Sequence, residues 1–192
     1  TGINFVEIDE TNGGYGDVRF FIQNFNNWSN IDPFYDGIAG FAYTPFYDSE
    51  FDALEGDVFL DEFYVNEASF FSHLVSHEIG HALGLSHPFE GYVIDNTVME
   101  YESVMSYDQS FILANGLMPD DIKAAEFLYG GNSNANVESN NYVWQDYEDL
   151  NFRNSIIDKG GQDTFDFSGQ ANGVYVDISP DSWSDLYYNG SE

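Results

Sequence analysis

The sequence predicts an α+β fold in two parts, and three observations carry the prediction. Strand-like runs precede two helical stretches within residues 1–130. Only short β-type runs follow residue 131. An Asn- and Ser-rich stretch, Asn132 to Asn141, separates the two sets and reads as a linker. The expected division is therefore 1–130 and 131–192.

In chain order, Ile3 to Ile8 alternates apolar and polar residues and reads as a strand. Thr11-Asn12-Gly13-Gly14 is a turn. Val18 to Ile22 reads as a second strand, buried on both faces. Asn24 to Asp36 is loop-like. Ile38 to Tyr43 is a third strand, stopped by Pro45, and Asp57 to Asp61 a short fourth. Asn66 is the expected N-cap of a helix on which Phe70, Phe71, Leu74, Val75, Ile79, Ala82 and Leu83 recur at helical spacing. Residues 88–118 read as irregular. Pro119 opens a second helix, with Asp120 and Asp121 in its first turn and an end before Gly130-Gly131. The β-type runs beyond the linker are Tyr142 to Trp144, Ser155 to Ile157, Thr164 to Phe167 and Val174 to Ile178.

Composition narrows the partners. The 192 residues hold 34 Asp and Glu against 4 Lys and Arg, for a formal net charge of −30. The basic residues are Arg19, Lys123, Arg153 and Lys159, too few for the basic face that nucleic-acid phosphates require. Two readings of the charge stand: a solvated acidic surface, or a fold that includes cations, through bound calcium or a salty habitat. No apolar run approaches membrane-spanning length, so no membrane insertion is expected. Cysteine is absent, which leaves neither a disulfide framework nor a thiolate metal site. The chain starts at Thr1 without a signal-peptide pattern and reads as a processed product or a fragment.

The most specific stretch is His77 to His87, which reads H-E-x-x-H-x-x-G-x-x-H. Residues four apart on a helix lie nearly above one another, since four residues turn the chain about 400°. His77 and His81 can therefore point at one ion. Glu78 lies about 100° around the helix, within reach of a water on that ion. Gly84 can adopt a left-handed conformation, end the helix and let His87 return as a third ligand. Three neutral imidazoles that leave a position for water suit zinc. Glu78 can then act as general base toward that water.

With this stretch in place, the sequence resembles the metzincin zinc metalloproteases, and within them the serralysins, secreted bacterial proteases with a calcium-binding C-terminal region. Further residues carry the resemblance. Pro88 follows the third histidine; Ser103-Val104-Met105-Ser106-Tyr107 looks like the Met-turn; and Asp120 to Gly130 is similar to the helix that closes the catalytic domain. The resemblance implies a twisted, mainly parallel sheet with an antiparallel edge strand, an active-site helix, the Met-turn and a C-terminal helix, followed by the start of an all-β calcium-binding region. It implies a zinc endopeptidase acting on polypeptides outside the cell. His77, His81 and His87 would hold zinc and Glu78 would be the general base. Met105 would form an apolar floor, and Tyr107 would ligate zinc and then stabilise the oxyanion. Gly40, Phe41 and Ala42 would lie on the strand that binds substrate by strand addition. His73, one turn before His77, is expected at the helix surface or cleft edge. Val98-Met99 has no assigned role.

Asp158 to Gly169 is similar to the serralysin entry into its calcium-binding region. Asp158, Asp163 and the carbonyls of Gly160 and Gly161 are then candidate calcium ligands; a plain glycine turn is the competing reading. The glycine-rich repeats of that region do not occur before Glu192, and the helix that family members carry ahead of Ile3 is not found. The resemblance therefore implies a chain incomplete at both ends, with segments of its own precursor as expected partners. The alternative to an endopeptidase is a non-catalytic binding or structural module that kept the metal site. A small-molecule metal hydrolase is the weaker third reading, and residues between Phe89 and Tyr101 are candidates for a specificity pocket.

Overall fold

The computed structural model describes residues 2–45, 54–90, 95, 97–107, 113–145, 152–180 and 182–188. Part of the Phe89–Tyr101 stretch, residues 91–94 and 96, lies outside them. Helices and small sheets are mixed along the chain, an α+β arrangement.

The first sheet has the order β1 (Phe20–Gln23), β3 (Val58–Asp61), β2 (Gly40–Ala42). β1 runs parallel to β3, with Phe21 opposite Phe59. β2 runs antiparallel to β3 at the sheet edge, with Phe41 opposite Phe59. Among the described residues the sheet thus has one parallel pairing and, at its edge, one antiparallel pairing.

Helix α2 (Ala68–Ala82) packs on β2 and β3. Val58 and Leu60 meet Leu74 and Ala82 there, and Phe70, Phe71 and Val75 flank them. On the opposite face, Phe21, Phe59 and Phe41 stack in one cross-strand row, each neighbouring pair 4.8 Å apart. Phe25 and Trp28 of the short helix α1 (Phe25–Ser29), with Tyr35, cover this row. The stretch expected as loop, Asn24 to Asp36, is thus a helix and a 3-10 turn, started by the side chains of Asn24 and Asp32. Burying Phe25 alone contributes about 1.5–3 kcal/mol.

Three other expectations are corrected here. Residues 2–9 form no strand: Phe5, Val6 and Ile8 are exposed, and alternation cannot pair a segment that has no partner strand among the described residues. β1 is not buried on both faces. Phe20 and Ile22, 51% and 52% exposed, are in register with buried Val58 and Leu60, but α2 packs chiefly over β2 and β3 and leaves them open. The residue before α2 is Glu67 rather than Asn66, and it makes no side-chain cap.

Arg19 Nε and Nη2 donate to the two carboxylate oxygens of buried Asp57, at 2.7 and 2.6 Å, and fasten the residue before β1 to the one before β3. A second core joins Leu85, Val104, Met105, Ala114 and Met118. It includes the strand β4 (Leu113–Ala114), inside the stretch expected to be irregular. Helix α3 (Pro119–Tyr129) starts and stops as expected.

After α3, β5 (Asn141–Gln145) pairs in parallel with β7 (Thr164–Gly169), and β8 (Gly173–Tyr175) pairs antiparallel with β9 (Asp185–Tyr188). β4 pairs in parallel with β6 (Phe152–Arg153), and Lys159 bonds Glu126 on α3 at 3.1 Å. The run Ser155 to Ile157 is not a strand; the Asn136 side chain takes the Ile157 carbonyl at 2.7 Å in place of a ladder partner.

Candidate metal centre

α2 ends as its sequence requires. Gly84 has φ +87°, and the amides of Gly84 and Leu85 return to the carbonyls of His81 and Gly80. This reversal brings His87 back over the helix. His77 Nδ1 lies 2.8 Å from the Val104 carbonyl, and His81 Nδ1 lies 2.9 Å from that of Leu85. A carbonyl only accepts, so both Nδ1 atoms carry the proton and both Nε2 lone pairs are free. Those Nε2 atoms lie 3.2 and 3.1 Å from Nε2 of His87. Bonds of 2.0–2.1 Å at tetrahedral angles put zinc-bound nitrogens about 3.3 Å apart, so the donor set fits the ion. Burial lowers the pKa of His77 to about 3 and that of His81 below its usual value, which keeps both rings neutral.

Glu78 is 3% exposed, and its Oε2 has no hydrogen-bond partner among the described residues. Burial alone pushes its pKa up to about 8. The carboxylate rests against β2, where a Cβ on Gly40 would stand 2.9 Å from Oε1. Gly40, Phe41 and Ala42 form the edge strand beside this carboxylate, and the Phe41 ring faces the aromatic row.

Met105 is buried beneath α2, and a Cβ on Gly80 would overlap its sulfur. The Tyr107 ring stacks on His77 at 5.4 Å and lies 4.7 Å from His87, yet the residue remains 59% exposed. Burial first, then the charges of Glu78 and Glu90, raise the pKa of its hydroxyl.

His73 is corrected. It is 8% exposed rather than at the surface, because β4 crosses its end of α2, and its Nδ1 lies 3.1 Å from the Ala114 carbonyl. It stands outside the histidine group.

Asp121 was legible only as a first-turn acid. It is buried and accepts from Ser103 Oγ at 2.6 Å, Val104 N at 2.7 Å and Met118 N at 2.8 Å. It thereby ties α3 to the turn whose Val104 carbonyl holds His77. Gly80, Asp121 and Phe89, whose ring lies 8° from parallel to that of His87, went unassigned in the sequence. Only Asp121 had a local signal, as an acid after Pro at a helix start. Val98, given no role, accepts from Ser106 Oγ at 2.6 Å.

The calcium candidates lie in one turn beside residues 136–140. Asp158 accepts from Gly160 N at 3.0 Å and Tyr142 OH at 2.7 Å, and Asp163 accepts from Asn140 N at 2.9 Å. Gly161 has φ +107° beside the Glu138 carbonyl. The three histidines are the one group of three or more acidic or histidine ligands among the described residues.

By class, this is an α+β chain whose three converging imidazoles can hold a metal ion. Its similarity to known proteins is narrower. Residues 119–188 match the family described as peptidase M10 serralysin C terminal. Serralysin B of Dickeya chrysanthemi is 33% identical over 143 residues, 59% of this chain and 30% of that protein. Metallopeptidase AprA of Pseudomonas marginalis is 27% identical over 219 aligned residues, 95% of this chain and 44% of that protein. Serralysin C of Dickeya chrysanthemi is 34% identical over 139 residues. The chain is therefore a relative of the serralysin-type metalloproteases. It spans less than half the length of these relatives.

Proposed function

We propose that the chain is the catalytic part of a zinc-dependent endopeptidase, with residues 1–130 forming a metzincin-like domain and 131–192 beginning a calcium-supported β region. The observation that carries this reading is the approach of His77 and His81 Nε2, each with its lone pair free, to 3.2 and 3.1 Å from His87 Nε2, the spacing that tetrahedral zinc sets between its nitrogens. His77, His81 and His87 would hold zinc. Once held, the ion would polarise the scissile carbonyl and acidify a water beside Glu78.

The remaining steps belong to the chain itself. Glu78 takes a proton from the attacking water as the water oxygen bonds to the carbonyl carbon. It returns that proton to the leaving nitrogen as the C–N bond breaks. Burial raises the proton affinity of Glu78, which favours holding the proton it takes from the water until the nitrogen leaves. Tyr107 would be a further residue holding the ion, and its hydroxyl donates to the developing oxyanion. Met105 is the apolar floor under the ligands. Gly40 to Ala42 offer an extended peptide a strand edge next to Glu78 that no other strand among the described residues pairs with. Asp158, Asp163 and the Gly160 and Gly161 carbonyls would hold calcium in the turn before β7.

The substrates are polypeptides and the working place is extracellular, in keeping with the serralysin relationship. Among the described residues no helix is long and apolar enough to cross a membrane. The test is casein hydrolysis by zinc-loaded protein with its metal content measured. One zinc per chain is expected, with hydrolysis abolished by a chelator and reduced about 100-fold or more in Glu78→Gln. Bound zinc without hydrolysis that Glu78→Gln changes would overturn the peptidase reading.

A further inference from the structure

The three histidines are not held alike. His77 and His81 sit on α2, and each fixes its ring by donating Nδ1–H to a main-chain carbonyl. His87 lies beyond the helix, on a chain that has just reversed at Gly84. Its Nδ1 is buried and has no hydrogen-bond partner among the described residues. The segment that follows folds back over it. The Glu90 amide donates to the His87 carbonyl at 3.1 Å, closing a turn with Pro88 at its second position, where the ring presets φ. This turn lays the Phe89 ring on the His87 ring, centroids 4.8 Å apart and 8° from parallel. It also brings Glu90 Oε2 to 3.0 Å from His87 Nδ1, at ion-pair distance but off the hydrogen-bond axis. Phe89 further touches Tyr107, with centroids 5.1 Å apart.

We infer that the turn from His87 to Glu90 is a brace for the third metal ligand: Glu90 is a positioning residue whose carboxylate faces His87 Nδ1 at ion-pair distance, and Phe89 walls the ring in place. This rests on the metal-holding reading of the three histidines. A carboxylate on the outer nitrogen of a ligand imidazole fixes which nitrogen carries the proton and makes the other a better donor to metal. Loss of such a partner commonly weakens metal binding about 10–100-fold. Glu90 is 59% exposed on its side chain, so water competes for it and the lower end of that range applies. Phe89 acts differently, by restricting the ring of a ligand that no helix restrains.

The test follows zinc leaving the chain for a chromogenic chelator in wild type, Glu90→Ala, Glu90→Gln and Phe89→Ala. Urea unfolding of the zinc-free proteins and the visible spectrum of the cobalt-substituted forms accompany it. Glu90→Ala and Phe89→Ala are each expected to release zinc about tenfold faster. Glu90→Gln, which keeps an acceptor without the charge, should fall between Glu90→Ala and wild type. The cobalt spectrum should change in both alanine variants while zinc-free unfolding midpoints stay at the wild-type value. A wild-type release rate in both alanine variants, with zinc bound, overturns the brace and leaves the peptidase reading standing. If the wild type itself binds no zinc, both ideas fall together.

Discussion

At the residue scale, the site depends on contacts that only glycine permits. Gly80 lies between two zinc-ligand candidates on α2, and a methyl group there would collide with the buried sulfur of Met105. Both the helix backbone and Met105 are fixed by packing, so neither can give way cheaply. Gly80→Ala is expected to destabilise the chain by about 1–3 kcal/mol, despite the better helix propensity of alanine, measured by urea unfolding. It should also lower zinc affinity, because Met105 is followed directly by the stretch leading to Tyr107. A stability gain would show that the helix can slide away from Met105. His77, Glu78 and His81 were legible because helix geometry sets their spacing, and His87 because Gly84 marks the reversal that returns it. Gly80 and Phe89 were not, because what makes them matter is a neighbour far along the chain or a turn whose return path no local pattern specifies.

At the element scale, α3 supports the site without touching it. The Asp121 carboxylate gathers Ser103, Val104 N and Met118 N, and the Val104 carbonyl in turn holds His77. Burial pushes the Asp121 carboxyl up, while its three donors hold it down. Removing the carboxylate leaves two buried amides and a hydroxyl without their acceptor, each worth about 1–3 kcal/mol. Asp121→Ala is therefore expected to cost about 3 kcal/mol or more in urea unfolding. It should also be non-additive with His77→Ala in a double-mutant cycle, since the two share one turn; strict additivity would show that the network stops at Ser103. The helices themselves were readable. α2 has a wide apolar face, and α3 has Pro at its start and Gly at its end, so local signals and packing agree. Strands were less readable. Val18 to Ile22 is apolar enough for a central strand, yet its edge position exposes Phe20 and Ile22. Ile3 to Ile8 alternates correctly but has no strand to pair with among the described residues. Burial of a strand depends on its neighbours in space, which alternation does not encode. The burial of His73 has the same origin: β4 reaches it from 41 residues away.

At the scale of the whole molecule, the net charge of −30 sets the terms under which these contacts operate. Four basic residues cannot neutralise 34 acidic ones, and three of them, Arg19, Lys123 and Lys159, already face Asp57, Asp120 and Glu126. Self-repulsion therefore opposes the compact state, and dissolved ions weaken it over a screening length of about 30 Å at 0.01 M and about 3 Å at 1 M. The melting temperature is expected to climb as sodium chloride is raised across that range. Millimolar calcium should add a further rise at constant ionic strength, and that increment should vanish in Asp158→Asn with Asp163→Asn if the turn before β7 holds the ion. Acid acts in two opposed ways. Protonating ordinary surface carboxylates relieves repulsion. By contrast, Asp158 is held below the usual carboxylate range, first by the Gly160 amide and then by the Tyr142 hydroxyl. Asp9, Asp95, Asp166 and Asp177 are held low chiefly by Thr11, Thr97, Ser168 and Ser179. A carboxylate whose folded pKa is depressed stabilises the fold above its unfolded value and loses that contribution as pH falls through the folded one. Buried His73, His77 and His81, whose pKa values are lowered in the fold, subtract stability as pH falls below about 6.5, so the surface term should show as a rise relative to a high-salt reference from pH 7 toward about 4.5, with a fall below about 3.5. The rise should shrink as salt is added while the acid fall persists, because the first is long-range repulsion and the second is short-range hydrogen bonding. A rise that survives 1 M salt would mean that buried groups, not the surface charge, govern the acid response.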